Sequence, residues 1–356
     1  MAGLTRLSAA SGDTAGPQIA LQSEIGGVLE DGRAVFGRIA GASLSPDGSR
    51  LSVLDSERCQ IVVFVRQGDD FRRTSRIQGC DGSETFLRPA HLIDDGMNVW
   101  VWDVGRSRLM AFSPTGELKA DDYVVPPSGS GAQYYPAKIH FTTVGSEGLA
   151  RPVLQWEVVL FPDADSYPQV LLSLPDGRSP AWLAGITAGA TMPGHRSDLR
   201  PFSHGIEICL SPGREQGFFV ARGTEQIRVL DKSSAGVAAC WDISLEPGEG
   251  VNLNSTQVGC LRDLIMIRTR VYDDSRSEFT SGRDHYFGYD GEPLGSRRMK
   301  SEYGIRELGK VLDARGSLFV TASNLRFSHP TVFVWRVFKS PGAFSPPNGG
   351  SERGGA

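Results

Sequence analysis

Short apolar runs alternating with polar residues, each bounded by a tight turn, recur along the whole chain. Leu51–Leu54, Ile61–Val65, Val99–Trp102, Phe218–Val220 and Leu318–Val320 are examples, rich in β-branched and aromatic residues. A period of two predicts half-buried strands, and no segment keeps a period of 3.6 beyond two turns. The pattern therefore predicts an all-β protein.

The runs form repeats. A turn leads into an apolar strand at Ser45-Pro46-Asp47-Gly48, at Asp94-Asp95-Gly96 and at Asp313-Ala314-Arg315-Gly316. A further strand then ends in a second turn, as at Pro114-Thr115-Gly116, Pro175-Asp176-Gly177 and Tyr289-Asp290-Gly291. The glycines of the second turns stand at 68, 116, 177, 236 and 291, which is the spacing of propeller blades with insertions. Read as strands a to d, the units fall at about 41–77, 87–126, 135–187, 203–244, 254–300 and 306–338. The sixth unit lacks an outer strand, while Val28–Ile39 precedes the first inner strand and has no unit of its own. Pairing the two closes a ring and removes the sheet edges that invite aggregation. The expectation is a six-bladed β-propeller of four-stranded antiparallel blades over residues 17–339, its last blade closed by an N-terminal strand. The Gly/Pro/Ser-rich stretches 1–16 and 340–356 are expected to be flexible tails.

Two units carry a closer signature. Leu51-Ser-Val-Leu-Asp55-Ser-Glu-Arg58-Cys-Gln-Ile61-Val-Val-Phe64 and Val99-Trp-Val-Trp-Asp103-Val-Gly-Arg106-Ser-Arg-Leu109-Met-Ala-Phe112 share an apolar strand, an Asp, a polar loop with Arg, and a second apolar strand. Phe219–Leu230 is a weaker copy without the Asp. This resembles the NHL-type repeat and is similar to bacterial six-bladed NHL-like and TolB-like propellers. The resemblance implies the fold; such families host ligand binders, protein-interaction modules and a few enzymes, so it does not fix a function. Asp55 and Asp103 are expected to hydrogen-bond the b–c loop and pin it.

Composition narrows the function classes. The formal net charge of −4 argues against a general binder of nucleic acid or anionic membranes. No stretch reaches the length of a membrane helix, and the first sixteen residues lack the apolar core of a signal peptide, so a soluble protein of unassigned compartment is expected. The cysteines, Cys59, Cys80, Cys209, Cys240 and Cys260, form no zinc-site spacing. They read as small buried hydrophobes, or, in an exported protein, as pairs such as Cys59 with Cys80.

Candidate chemistry concentrates on one face. The longer connections, d–a and b–c, share it, and long loops on a rigid scaffold are where recognition usually sits. It carries Asp163, Asp165, Tyr167, Asp273, Asp274 and Glu278. The residues entering the inner strands are Arg88 with His91, Tyr134 with Tyr135, His204, Asn252 with Asn254, and Arg306. They predict a polar and aromatic ring at the channel mouth, which either caps a water-filled channel or takes a small polar or anionic ligand.

Catalytic motifs fail in turn. Gly304–Lys310 spaces its glycines like a phosphate loop, but Val311 replaces the Ser or Thr that would hold magnesium. Asp163-Ala-Asp165-Ser-Tyr167 lacks the Gly and Glu of a calcium loop. The histidines show no HExxH spacing and there is no GxSxG elbow. Lactonase-type propellers place a metal-binding carboxylate on the first inner strand, where this chain has Ala40-Gly41-Ala42-Ser43. The basic clusters Arg72, Arg73, Arg76 and Arg297, Arg298, Lys300 read as solvated blade edges. No metal or cofactor is expected. The leading expectation is a monomeric, non-catalytic scaffold for a protein partner or small polar ligand, with nucleic acid disfavoured. The alternative is a hydrolase or lyase using His91, His204 and a carboxylate at the channel mouth.

Overall fold

The computed structural model describes residues 17–28, 33–80, 85–126, 133–143, 150–160, 170–178, 206–210, 216–222, 226–233, 236–244, 256–273, 278–299, 310–323 and 329–338. The expected tails, 1–16 and 340–356, lie outside them.

Twenty-three strands and no helix occur among the described residues. The first blade is β2 (Ile39–Leu44), β3 (Arg50–Asp55), β4 (Gln60–Gln67) and β5 (Asp70–Gln78). The second is β6 (Pro89–Asp94), β7 (Val99–Asp103), β8 (Arg108–Phe112) and β9 (Leu118–Tyr123). A third sheet holds β10 (Gln133–Thr143), β11 (Ala150–Leu160) and β12 (Val170–Ser173). Then come β13 (Ile206–Leu210), β14 (Gln216–Arg222), β15 (Gln226–Ser233) and β16 (Gly236–Ser244), followed by β17 (Thr256–Cys260), β18 (Ile265–Asp273), β19 (Glu278–Phe287) and β20 (Pro293–Met299). The last sheet runs β21 (Lys310–Arg315), β22 (Leu318–Ser323), β23 (Thr331–Phe338), with β1 (Gln18–Gly26) on its outer edge. Pairing is antiparallel throughout. The inner strands β2, β6, β10, β13, β17 and β21 touch in turn, and β21 returns to β2.

The protein is thus an all-β propeller of four-stranded antiparallel blades, with two corrections to the expected architecture. Five blades have four strands, not six: the β10–β11–β12 sheet has three, and the part of its unit beyond Arg178 lies outside the described residues. The closing strand is Gln18–Gly26, not Val28–Ile39. β1 runs from Gln18↔Phe338 to Gly26↔Thr331, with a bulge between Leu21 and Ser23.

The reason the later segment does not pair lies in Phe36. Val28 bridges Ala34, which turns the chain back, and Phe36 then drops fully buried into the core beneath the first blade. Its ring meets Phe64 edge-on at 6.2 Å, within a cluster that includes Ile25, Leu44, Val53, Val332 and Val334. The hydrophobicity that suggests a strand there belongs to a plug.

Apolar clusters fill the spaces between neighbouring blades. Turns seat each blade on the one before it. Gly116, at φ +98, lets its c–d turn approach Ile77 of the first blade, in a backbone conformation that favours glycine. Polar joints cross the first blade as well. Ser43 Oγ donates to Asp313 Oδ2 at 2.7 Å and accepts from the Asp94 N–H at 3.0 Å, so the last, first and second blades share one hydrogen-bond chain. Arg50 grips Asp94 through Nε and Nη2 at 2.7 and 2.6 Å. Cys59 pairs with Cys80 and Cys209 with Cys260, the second bond joining β13 to β17 across two blades.

Candidate functional site

Asp55 and Asp103 are fully buried at the ends of β3 and β7, and they organise the loop-rich face. Asp55 accepts hydrogen bonds from the N–H groups of Gly37 (2.9 Å), Arg38 (3.0 Å) and Arg58 (3.3 Å), and from Gln60 Nε2 (3.1 Å). Asp103 accepts from the N–H groups of Leu87 (2.6 Å), Arg88 (2.8 Å) and Gly105 (3.0 Å). Each carboxylate therefore does more than the expected pinning of its b–c loop. It also holds the connection that enters its blade.

The loop arginines complete the clamp. Arg58 donates from Nη1 and Nη2 to the carbonyls of Val35 and Ala34 at 2.6 and 2.7 Å, and Arg106 Nη1 donates to the Thr85 carbonyl. Burying a carboxylate is tolerable only when its oxygens are fully hydrogen-bonded, and these are.

The clamp fixes two further arginines by their backbones while leaving their side chains outside. Arg38 and Arg88 are exposed, and their guanidiniums make no hydrogen bond or ion pair among the described residues. Both stand two residues after a fully buried phenylalanine, Phe36 or Phe86, the latter edge-on to Phe112 at 5.9 Å. Exposed Leu87 and Tyr135 and half-buried Tyr134 lie at the same entrances. The result is a pair of exposed cations on firmly anchored backbones, beside apolar and aromatic surface.

Of the ring expected from the sequence, Arg88, His91, Tyr134 and Tyr135 are described; His204, Asn252, Asn254 and Arg306 lie outside the described residues. His91 is half-buried, with Nε2 at 3.3 Å from the Pro136 carbonyl of the next inner strand and its ring 6.0 Å from that of Trp102. It works as a joint between blades. Asp163, Asp165, Tyr167, Asp274 and the Gly304–Gly309 stretch also lie outside the described residues, whereas Asp273 and Glu278 are register partners at the end of the β18–β19 hairpin. Arg72, Arg73 and Arg76 are exposed on the outer strand β5, as expected of a blade edge. Arg38 was not among the sequence candidates, and the Phe-x-Arg pattern it shares with Arg88 is the signal that identifies it.

Other titratable groups are sealed. His140 is buried with Nε2 2.7 Å from Gln155 Oε1, and burial, aided by the Lys138 charge, lowers its pKa to about 3. His285 is lowered to about 4 by burial and by the Arg283 charge, and its Nε2 meets no hydrogen-bond partner among the described residues. Both imidazoles are therefore neutral in the fold and titrate near 6.5 once unfolded. The unfolded chain binds more protons between these limits, so the stability is full above pH about 6.5 and is lost as pH falls toward 3–4. Each histidine contributes a slope of up to about 1.4 kcal/mol per pH unit. Melting followed from pH 7.5 to 4.5 should show this loss, and His285→Gln should flatten the slope; an unchanged slope in the variant would assign it elsewhere.

No group of three or more His, Cys, Asp or Glu suited to a metal ion occurs among the described residues. None of their helices, there being none, could cross a membrane.

No protein-family model matches the chain, and no curated protein matches it by sequence. Solved structures resemble it in fold. A member of the DUF4221 family from Bacteroides vulgatus aligns with TM-score 0.55 at 10% identity, over 91% of this chain and 99% of that one. A putative exported protein from Bacteroides fragilis aligns with TM-score 0.47 at 10% identity, over 94% and 99%. The PQQ-bound aldose sugar dehydrogenase from Streptomyces coelicolor aligns with TM-score 0.49 at 12% identity, over 92% and 100%. At such identities the likeness bears on the fold alone.

Proposed function

We propose that this protein is a non-catalytic propeller scaffold whose loop-rich face recognises an anionic group on a protein partner or small polar ligand. The observation that carries this reading is the paired clamp of Asp55 and Asp103, which fixes the backbones of Arg38 and Arg88 while both exposed guanidiniums make no hydrogen bond or ion pair among the described residues. The clamp fixes where each side chain leaves the backbone, and a guanidinium fork matches carboxylate and phosphate geometry. Six units make up the proposed ring, with the three-stranded sheet as the third. The two cysteine pairs suit an oxidising compartment, outside the cytosol.

The alternative, a hydrolase or lyase at the channel mouth, loses support from His91, whose ring is held between Trp102 and Pro136. Affinity capture with wild type and an Arg38→Glu/Arg88→Glu variant tests the binding reading. Partners held by the wild type should be lost in the variant while its melting temperature is nearly unchanged, because neither guanidinium has a hydrogen bond or ion pair to lose among the described residues. Equal capture by both proteins would refute it. Turnover of a lactone or glycoside that disappears in His91→Ala would establish the enzymatic reading instead.

A further inference from the structure

On the opposite face, a cleft of about 180 Å³ opens among the a–b turns of three blades. Pro46, Asp47 and Gly48 come from the first blade, Leu261 to Leu264 from the fifth, and Arg315 to Leu318 from the last. Arg66 completes it from the end of β4. The cleft thus spans the seam at which β1 closes the ring, since its central turn belongs to the closed sheet.

Its polar groups are unequally committed. Asp47 is saturated by Ser45 Oγ at 2.5 Å, Ser49 Oγ at 2.8 Å and the Ser49 N–H at 3.0 Å, and these bonds hold its pKa down to about 2. Arg66 is spent on the Gly68 carbonyl and on Asp69. Arg315 lies 3.3 Å from Asp313 Oδ1, but its Nε is buried without a hydrogen-bond acceptor. Asp263 is engaged by another group. Arg262 differs: its N–H anchors the turn to the Gly316 carbonyl at 2.8 Å, while its exposed guanidinium has no hydrogen bond or ion pair among the described residues.

We propose that this cleft is a binding site for a small monocarboxylate, held by the guanidinium fork of Arg262 with Arg315 behind it. Arg66 is offset by Asp69 and Arg315 by Asp313, so the exposed guanidinium of Arg262 is the cation left to meet a ligand, and one guanidinium suits a single negative charge better than a dianion. A cleft of 180 Å³ has room for about six waters, or an organic acid of a few heavy atoms. Leu261, Leu264 and Leu318 supply an apolar wall for its hydrocarbon part. Because the site touches three blades, a ligand there stabilises the closed ring by mass action.

Titration of the full chain with acetate, pyruvate and benzoate, read by melting temperature, tests the proposal against chloride at equal ionic strength. At least one acid should raise the melting temperature saturably. Arg262→Ala should weaken that response about tenfold or more, with its ligand-free melting temperature unchanged, and Arg262→Lys should weaken it less. The proposal is overturned if no acid gives a saturable shift, if chloride reproduces it, or if Arg262→Ala responds like wild type. Since this site lies on the other face, failure here leaves the reading of the loop-rich face intact, and the Arg38→Glu/Arg88→Glu variant should keep the acid response.

Discussion

A chain beginning after Gly26 is expected to melt at least about 6 °C below the chain that retains β1. β1 carries eight residues paired with β23, and its removal deletes Ile19 and Ile25 with their packing and uncovers the far edge of β23. Burying those two isoleucines alone is worth about 3–5 kcal/mol, and at the size of this protein each kcal/mol shifts melting by about 2–4 °C. The bare β23 edge also offers unpaired N–H and C=O groups to other molecules, so the truncated protein should aggregate on heating. A peptide spanning residues 17–27, added in excess, should restore part of the lost stability. Calorimetry of the three samples checks this, and an unchanged melting profile on truncation would mean that β1 does not close the ring.

Asp284→Ala is expected to be among the most damaging single substitutions, at about 3–5 kcal/mol. Arg268 is buried in the fifth blade, and its Nε and Nη2 donate to Asp284 Oδ1 and Oδ2 at 2.7 and 2.9 Å. The Arg268 guanidinium lies 5.3 Å from the Phe319 ring centroid of the last blade, so the pair also sits at an interblade contact. Removing the carboxylate alone leaves a cation out of reach of water. Replacing both partners, as in Arg268→Met/Asp284→Leu, removes that charge and should recover most of the loss. Chemical denaturation of the single and double variants separates the two effects; a double variant as unstable as Asp284→Ala would show that the cost arises from lost packing rather than from a buried charge that has lost its carboxylate.

The propeller was legible because a period of two and recurrent Asp/Gly turns are local signals. The inner-to-outer strand order of the first two blades follows directly from the paired Asp55 and Asp103 signatures. The identity of the closing strand was not legible in the same way. Gln18–Gly26 mixes four polar with four apolar residues, as an outer strand with one solvated face does, whereas Val28–Ile39 has more apolar residues and includes the core plug Phe36. Hydrophobicity alone cannot separate a plug from a strand. The same misreading hid Arg38, since a residue assigned to a closing strand is not sought at a channel mouth. Comparing Phe36-Gly-Arg38 with Phe86-Leu-Arg88 reveals it. The pairing of Cys59 with Cys80 was one of the alternatives the sequence offered, whereas that of Cys209 with Cys260 depends on strand neighbours 51 residues apart.

The buried joints were beyond reach for a further reason. Asp94 and Asp313 fall in stretches whose composition reads as exposed turns, yet both lie in inner strands and their carboxylates reach sideways into the neighbouring blade. Only the ring geometry brings Ser43 between them. The division between the two faces follows from the same geometry. One face holds free arginines above buried carboxylates, and the other holds Arg262 over the seam.

Hydrogen–deuterium exchange of the intact protein tests the central claim, a ring closed by its own N-terminal strand, most directly. The β1 amides that point toward β23 should be protected to the same free energy as those of β22 and β23, because the sheet opens as one unit. Exchange of the β1 amides at the rate of a fraying terminus, with β22 and β23 still protected, would contradict it.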